Sequence, residues 1–399
     1  PVTYYLFFFL RYTPRMINRK RSSRSIKNLR RSFTPGAVFH TVSGVSHSEK
    51  AETFRQGKEL QQMAAKRTTH TTRNLIIAVL PLLAALICLG IGRYSLDVRE
   101  TVKILFSGLT GYEPDPTGYT VIFNVRLPRI LLAILVGAGL SCAGAAFQGL
   151  FSNPLATPDT LGVASGASFG AVLGLLMHGN LILVQILALI FGILSCIITY
   201  SISRRNGKSS IVMIVLAGMV ISAVFEALVS LMKYVADPEE ELPTITYWLM
   251  GSMSRSTYNN LIMGAPFIIA GILLIFALRW RLNIMSLNED EASSLGMNIQ
   301  IMRLVFIAAS SMITASCVSM CGQVGWVGLL IPHIARMIGG NNNRSVIPMS
   351  IGLGAFFMII MDTFARAATA AEIPISILTA IVGAPVFIIL LRKTGGAWS

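Results

Sequence analysis

Few side chains in this 399-residue chain are of a kind that could do chemistry, and their spacing says more about what is excluded than about what is performed. The five histidines are His40, His47, His70, His178 and His333. None has the spacing of a metal site or of a nucleophile and base pair. His333, in IPHIAR, reads as a hydrogen-bonded helix-end residue. Cys317 and Cys321 stand one turn apart and could share a metal, yet no His or further Cys accompanies them on that helix. They read as packing, as do Cys88, Cys142 and Cys196 in other apolar segments. Asn206 to Ser210 spells NGKSS, but a phosphate loop needs a glycine five residues before Gly207, where Ile202 stands. The expectation is a protein without catalytic residues, metal or cofactor; if ATP is used, another chain hydrolyses it.

What remains are charges in or beside apolar segments, where an unpaired one is costly and often functional. Glu226 is either a proton or cation site or, the reading favoured, a partner of Lys233 two turns later. Asp362 and Arg366 lie one turn apart, with Glu372 in the next loop. A proton relay would need acidic or histidine groups at several depths, and most apolar segments have none at mid-depth, so proton-coupled transport is poorly supported. Arg126, Arg129 and Arg366 offer fixed donors at one surface, suited either to phospholipid headgroups or to an acidic protein.

The elements that would position these charges are membrane helices. The chain is 53% hydrophobic and 13% charged, against about a quarter charged in a water-soluble fold. Apolar runs near 75–92, 130–151, 160–177, 181–202, 210–232, 260–279, 302–321, 324–338, 347–365 and 374–391 predict about ten spans of a hydrocarbon core ~30 Å thick, the split around Gly322 being the finest. Within 130–151 small residues recur every fourth position, at Ala133, Gly137, Ser141, Ala145 and Gly149. After the interruption NPLATP they return as Gly162, Gly166, Gly170 and Gly174. Each set forms a strip on one helix face where another backbone can approach closely, so these helices belong at the centre of an all-α polytopic bundle.

Charge gives orientation. Lys66, Arg67 and Arg73; Arg204, Arg205 and Lys208; Arg279, Arg281 and Arg303; Arg336 and Arg344; and Arg392 and Lys393 gather on one side, which the positive-inside rule makes cytoplasmic. Both termini are then inside. The segment Asp237 to Glu241 is acidic and outside, and the turn from Asn153 to Asp159 is the one inner connection that is not basic. The net charge of +15 is concentrated in residues 1–62, which hold 12 Lys or Arg and 3 Asp or Glu. The remaining excess is spread over inner loops, so topology explains it and nucleic acid is not an expected partner. Residues 1–62 read as a basic extension, disordered or not native, with a natural start near Met63 and a transmembrane domain over 63–399. The inner connection Arg279 to Arg303 is longer than a turn requires. Its pattern suits short amphipathic helices broken at Gly296, a plausible handle for a partner.

Five blocks carry a resemblance: RLPRILLAILVGAGLSCAGAAFQGLFSNPLATPDTLGVASGASFG, YWLMGSM, LNEDEASSLGM, GWVGLLIPHIARMI and DTFARAATAAEIPISILTAIVGAPVFIILLRK. In order and spacing they resemble the permease subunits of bacterial ferric-siderophore and vitamin B12 ABC importers. The resemblance implies a type II importer permease of ten spans with both termini cytoplasmic, paired with a second permease, identical or homologous. Two cytoplasmic ATPases below and an extracytoplasmic solute-binding protein above are implied as partners. It implies further that coupling helices near 286–298 seat in the ATPase through Glu289, Asp290, Glu291, Ala292, Leu295 and Gly296, and that Arg126, Arg129 and Arg366 receive the binding protein's glutamates. The expected cargo is an iron-siderophore complex, with vitamin B12 or haem as alternatives, and an ion-coupled secondary transporter as a more distant one.

Overall fold

The structure is a computed structural model that describes residues 73–394 apart from 93, 95, 206, 207, 288 and 370. The expectations for the basic extension and for a start near Met63 fall outside the described residues. Apolar helices follow one another as α1 (Arg73–Gly90), α2 (Leu127–Leu150), α3 (Val163–Leu176), α4 (Leu181–Ser203), α5 (Ile211–Val235), α6 (Tyr258–Leu278), α7 (Ile299–Cys321), α8 (Val327–Gly339), α9 (Asn343–Ala368) and α10 (Ile375–Thr394). Seven are long and apolar enough to cross a membrane; α3, α8 and the apolar stretch Ile375–Leu390 of α10 are shorter. Each coincides with one of the apolar runs predicted from the sequence. The bundle end that the charge pattern assigns to the cytoplasm is called inner below, and the opposite end outer.

The helices start where side chains can satisfy orphan amides. Asn180, Ser210, Thr257, Asn298 and Asn342 each accept from a backbone N–H in the first turn of α4, α5, α6, α7 and α9, contacts worth about 1 kcal/mol apiece. α2 continues a helical run from Pro116 through a π-helical turn at Val121–Arg126. The split at Gly322 is present. Gly322 (φ 74°) and Trp326 (φ 70°) take left-handed backbone between α7 and α8, and Gln323 there donates to Ser168 Oγ at 2.9 Å and accepts from Ser376 Oγ at 2.6 Å. A two-residue antiparallel pairing, Arg204–Arg205 with Lys208–Ser209, closes the turn from α4 to α5.

The small-residue strips lie at helix crossings. On α3, an added Cβ would stand 2.6 Å from Phe191 O at Gly166, 2.2 Å from Leu187 O at Gly170 and 2.9 Å from Val184 Cα at Gly174, all on α4. On α2, a Cβ at Gly137 would stand 2.2 Å from Gly354 O of α9, while one at Gly354 would stand 2.1 Å from Ser141 Oγ. Gly149 faces the Asn343 side chain at the foot of α9, and Gly162 faces Ser195 and Ser222. The tightest approach of α2 was not in the predicted strip. Gly144 meets Gly328 O of α8, where a Cβ would come within 1.9 Å, because it lies one position, about 100° of helix, off the fourfold repeat.

Candidate functional site

At the outer end, the three arginines named from the sequence are not open donors. Arg126, Arg129 and Arg366 are 4, 6 and 9% exposed. α1 stops at Gly90, and its last carbonyls would otherwise be left without amide partners. Arg126, ending the π turn before α2, donates to Leu89 O at 2.5 Å, to Gly90 O at 3.1 Å and to Tyr94 O. Arg366 of α9 donates to Ile91 O at 2.6 Å and to Cys88 O. Two cations thus cap the carboxyl end of one helix, where the helix dipole favours them. Arg129 faces the other way. Its Nε meets Asp362 Oδ1 at 2.7 Å, and its NH1 meets the two Glu372 oxygens at 2.9 and 3.0 Å. Asp362 is fully buried, and its contact with Arg366, the neighbour one turn away, is the longer one at 3.9 Å. The sequence reading placed these arginines as available surface donors; the fold instead spends them on carbonyls and carboxylates distant in the chain.

At the inner end a second polar network joins the same two helices. Gln148 of α2 donates to Leu329 O at 3.2 Å and accepts from Arg336 of α8 at 3.3 Å. Arg336 also reaches Asn343 Oδ1 at 3.3 Å and Ala145 O at 3.4 Å. Asn343 N donates to Asn283 Oδ1 at 2.8 Å, and Asn283 Nδ2 donates to Asn342 Oδ1 at 2.9 Å. Asn283 lies in the short helix Arg281–Met285, immediately before the segment resembling coupling helices. That segment contains the short helix Glu289–Ser294, followed by Gly296 at φ 77°. Glu291 is exposed and Leu295 is 64% exposed. Ala292 is fully buried, so it secures the short helix to its own chain and is not on the presented face.

The third arrangement joins α2 to α3. Residues 151–162 are irregular, with one 3₁₀ turn at Pro158–Leu161, and the end of the segment, Thr160 to Gly162, packs on α4 and α5. A Cβ at Gly218 of α5 would be 1.9 Å from Thr160 O, and one at Gly162 would be 3.1 Å from Ser222 Oγ. Gly218 and Ser222 lie roughly 10 and 16 Å along α5 at ~1.5 Å per residue. This is irregular backbone within the span of α5. Its carbonyls are satisfied by side chains: Ser195 Oγ donates to Gly162 O at 2.7 Å and Thr199 Oγ1 to Leu161 O at 3.0 Å. Glu226, one turn beyond Ser222, accepts from Ser165 Oγ at 3.2 Å. It does not form the predicted ion pair with Lys233.

Among the described residues no group of three or more His, Cys, Asp or Glu side chains could hold a metal ion, and the five cysteines are buried and free. Cys321 Sγ donates to Cys317 O at 3.2 Å, one turn back.

Residues 79–393 match the model of the FecCD transport family. The chain is 43% identical over 318 residues to the molybdate import permease MolB of Haemophilus influenzae, covering 79% of this chain and 94% of that protein. It is 32% identical over 342 residues to the iron(3+)-hydroxamate import permease FhuG of Bacillus subtilis, covering 82% and 99%. A solved metal-chelate type ABC transporter in an inward-facing conformation superposes with a TM-score of 0.73 at 40% identity, covering 81% of this chain and 99% of that one.

Proposed function

Because the chain belongs to the FecCD transport family and is the multi-pass membrane permease of an ATP-binding-cassette importer, with its ATPase on a separate chain, we propose that it carries an iron-siderophore complex across the cytoplasmic membrane. The observation that supports a translocating bundle most directly is backbone-to-backbone packing at Gly137, Gly144 and Gly170 beside irregular segments at 151–162 and 322–326. Closely packed helices can shift as rigid bodies, and irregular backbone inside a membrane is tolerated only where protein or a water-filled cavity surrounds it. Relatives named for iron chelatin and iron(3+)-hydroxamate transport favour the chelate. The 43% identity to a molybdate permease favours molybdate as a second reading.

In this reading two permeases, identical or homologous, enclose the path. The exposed Glu291 and Leu295 seat in a cytoplasmic ATPase, and ATP-driven closure of the ATPase pair tilts the spans. A solute-binding protein docks at the outer end. Docking through Arg126 and Arg366 requires its carboxylates to displace the carbonyls that those arginines now hold. The cargo is tested by ATP-dependent uptake in cells carrying the whole transporter, with ⁵⁵Fe-labelled chelates and ⁹⁹Mo-molybdate offered separately. Accumulation of a ferric chelate that is lost on deletion of this chain supports the proposal. Accumulation of molybdate alone replaces it with the second reading.

A further inference from the structure

Glu226 is out of place in a lipid-facing position. It is the sixteenth residue of the 25-residue helix α5, so it stands ~22 Å from one end of a helix ~37 Å long, inside the hydrocarbon region. Its side chain is nonetheless exposed on the single chain, with Ser165 Oγ as its hydrogen-bond donor. Ser222 and Ser230 lie four residues to either side, so the three make a polar strip along one flank of α5. Ser230 is exposed and Ser222 partly so. The strip borders the end of the irregular segment, where a Cβ at Gly162 would stand 3.1 Å from Ser222 Oγ. A carboxylate at this depth costs several kcal/mol against lipid and is found facing a protein interior or water, and irregular backbone at the same depth obeys the same restriction. Two independent features of the fold therefore reject lipid on the same side of the molecule.

We propose that the α5 flank carrying Ser222, Glu226 and Ser230 lines a water-filled path shared with the second permease, and that Glu226 makes this path favour neutral or cationic cargo over oxyanions. The proposal rests on the reading of the chain as a paired permease and deepens it by naming the cargo charge. Lys233, less than two turns further out on the same flank, is the cation nearest in sequence. It lies toward the outer mouth, so the negative potential belongs to the mid-depth and inner part of the path. A molybdate dianion meets repulsion there, whereas a neutral or cationic ferric hydroxamate does not.

The test uses charged thiol reagents, so that it reads the path and not the binding protein. Ser222→Cys and Ser230→Cys are made separately in the assembled transporter in membrane vesicles, and each is treated with a cationic trimethylammonium-ethyl and an anionic sulfonatoethyl methanethiosulfonate. The unsubstituted protein, whose cysteines are buried, supplies the background. Both positions are expected to react in at least one nucleotide state, faster with the cation. Adding Glu226→Gln should shrink that preference by about tenfold, the effect on oppositely charged reagents of removing one charge about 6 Å away, one helical turn, in a wet environment. Protection from both reagents in every nucleotide state would overturn the path, and equal rates that ignore the neutralisation would overturn the charge selection. ATP-dependent uptake is measured on the same vesicles. Uptake with no labelling refutes this inference alone; labelling with cation preference but no uptake supports the path and counts against the transport reading.

Discussion

α2 and α9 are joined twice, and the two junctions are chemically unlike. At the outer end Arg129 of α2 meets Asp362 of α9 at 2.7 Å, and Asp362 is fully buried. At the inner end Gln148 of α2 reaches Asn343 of α9 through Arg336, by contacts of 3.3 Å. On each helix the two junctions are 19 positions apart, ~28 Å of helix, and the helices cross between them where Gly137 meets Gly354. One end is therefore an ionic lock in a dry environment. The other is a set of amide and guanidinium contacts with Asn342 exposed and Asn283 and Arg336 half-buried. Removing one partner of a buried ion pair strands a charge, at about 3–5 kcal/mol, whereas an ordinary hydrogen bond contributes about 0.5–1.5 kcal/mol and can be exchanged with water. The contrast assigns rigidity to the outer end and adjustability to the end bearing the segment that resembles coupling helices.

The largest effect should come from the lock. Asp362→Ala strands Arg129 and should destabilise the bundle by about 3–5 kcal/mol, seen as a large loss of detergent-extracted monodisperse protein. Glu372→Ala, whose side chain is 29% exposed, should cost much less; equal losses would break the distinction between buried and accessible partners. Next is the crossing itself. Gly354→Val inserts atoms against Gly137 O and Ser141 and should cost about 1–3 kcal/mol by overpacking, read as a lower melting temperature. Gly325→Ala, whose Cβ meets nothing within 4 Å and whose φ is not positive, should cost less. Smaller again is Asn283→Ala, at about 1 kcal/mol of stability, yet it should lower the transport obtained per ATP hydrolysed, because Asn283 links the short inner helix to the foot of α9. Unchanged coupling would remove the inner network from the mechanism. Least disruptive to the fold is Glu291→Arg with Leu295→Arg, both exposed. It should leave the melting temperature within experimental scatter while the ATPase no longer copurifies; copurification at normal yield would move the contact elsewhere.

Much of this was legible in the sequence, and the parts that were not share a cause. Hydropathy and the fourfold recurrence of Gly and Ser are local signals, so the apolar helices and the α3 face packed on α4 could be read directly. Arg126, Arg129 and Arg366 were equally visible as charges, but their partners Leu89, Asp362 and Ile91 lie 37, 233 and 275 positions away. One-dimensional spacing therefore suggested free donors, and it set Asp362 one turn from Arg366 without marking Arg129 as its partner. Asn283, Asn342 and Asn343 gave no signal at all, since neutral amides in loops have neither periodicity nor charge to mark them. Glu226 was noticed, and its expected neighbour was Lys233 on its own helix. Its observed partner, Ser165, comes from the start of α3, which reaches α5 because Thr160 to Gly162 pack on α5. The interruption NPLATP was readable as a break, but the depth at which the chain resumes its helix depends on packing against Gly218 and Ser222.

The central claim is that this bundle moves cargo only with energy taken from a separate ATPase. It is tested most directly by reconstituting the purified chain in liposomes, with and without its ATPase and solute-binding protein, and following labelled ferric chelate against a concentration gradient. Accumulation that requires both ATP and the ATPase is the predicted result. Accumulation by the chain alone, or accumulation driven by a proton gradient without ATP, would contradict it.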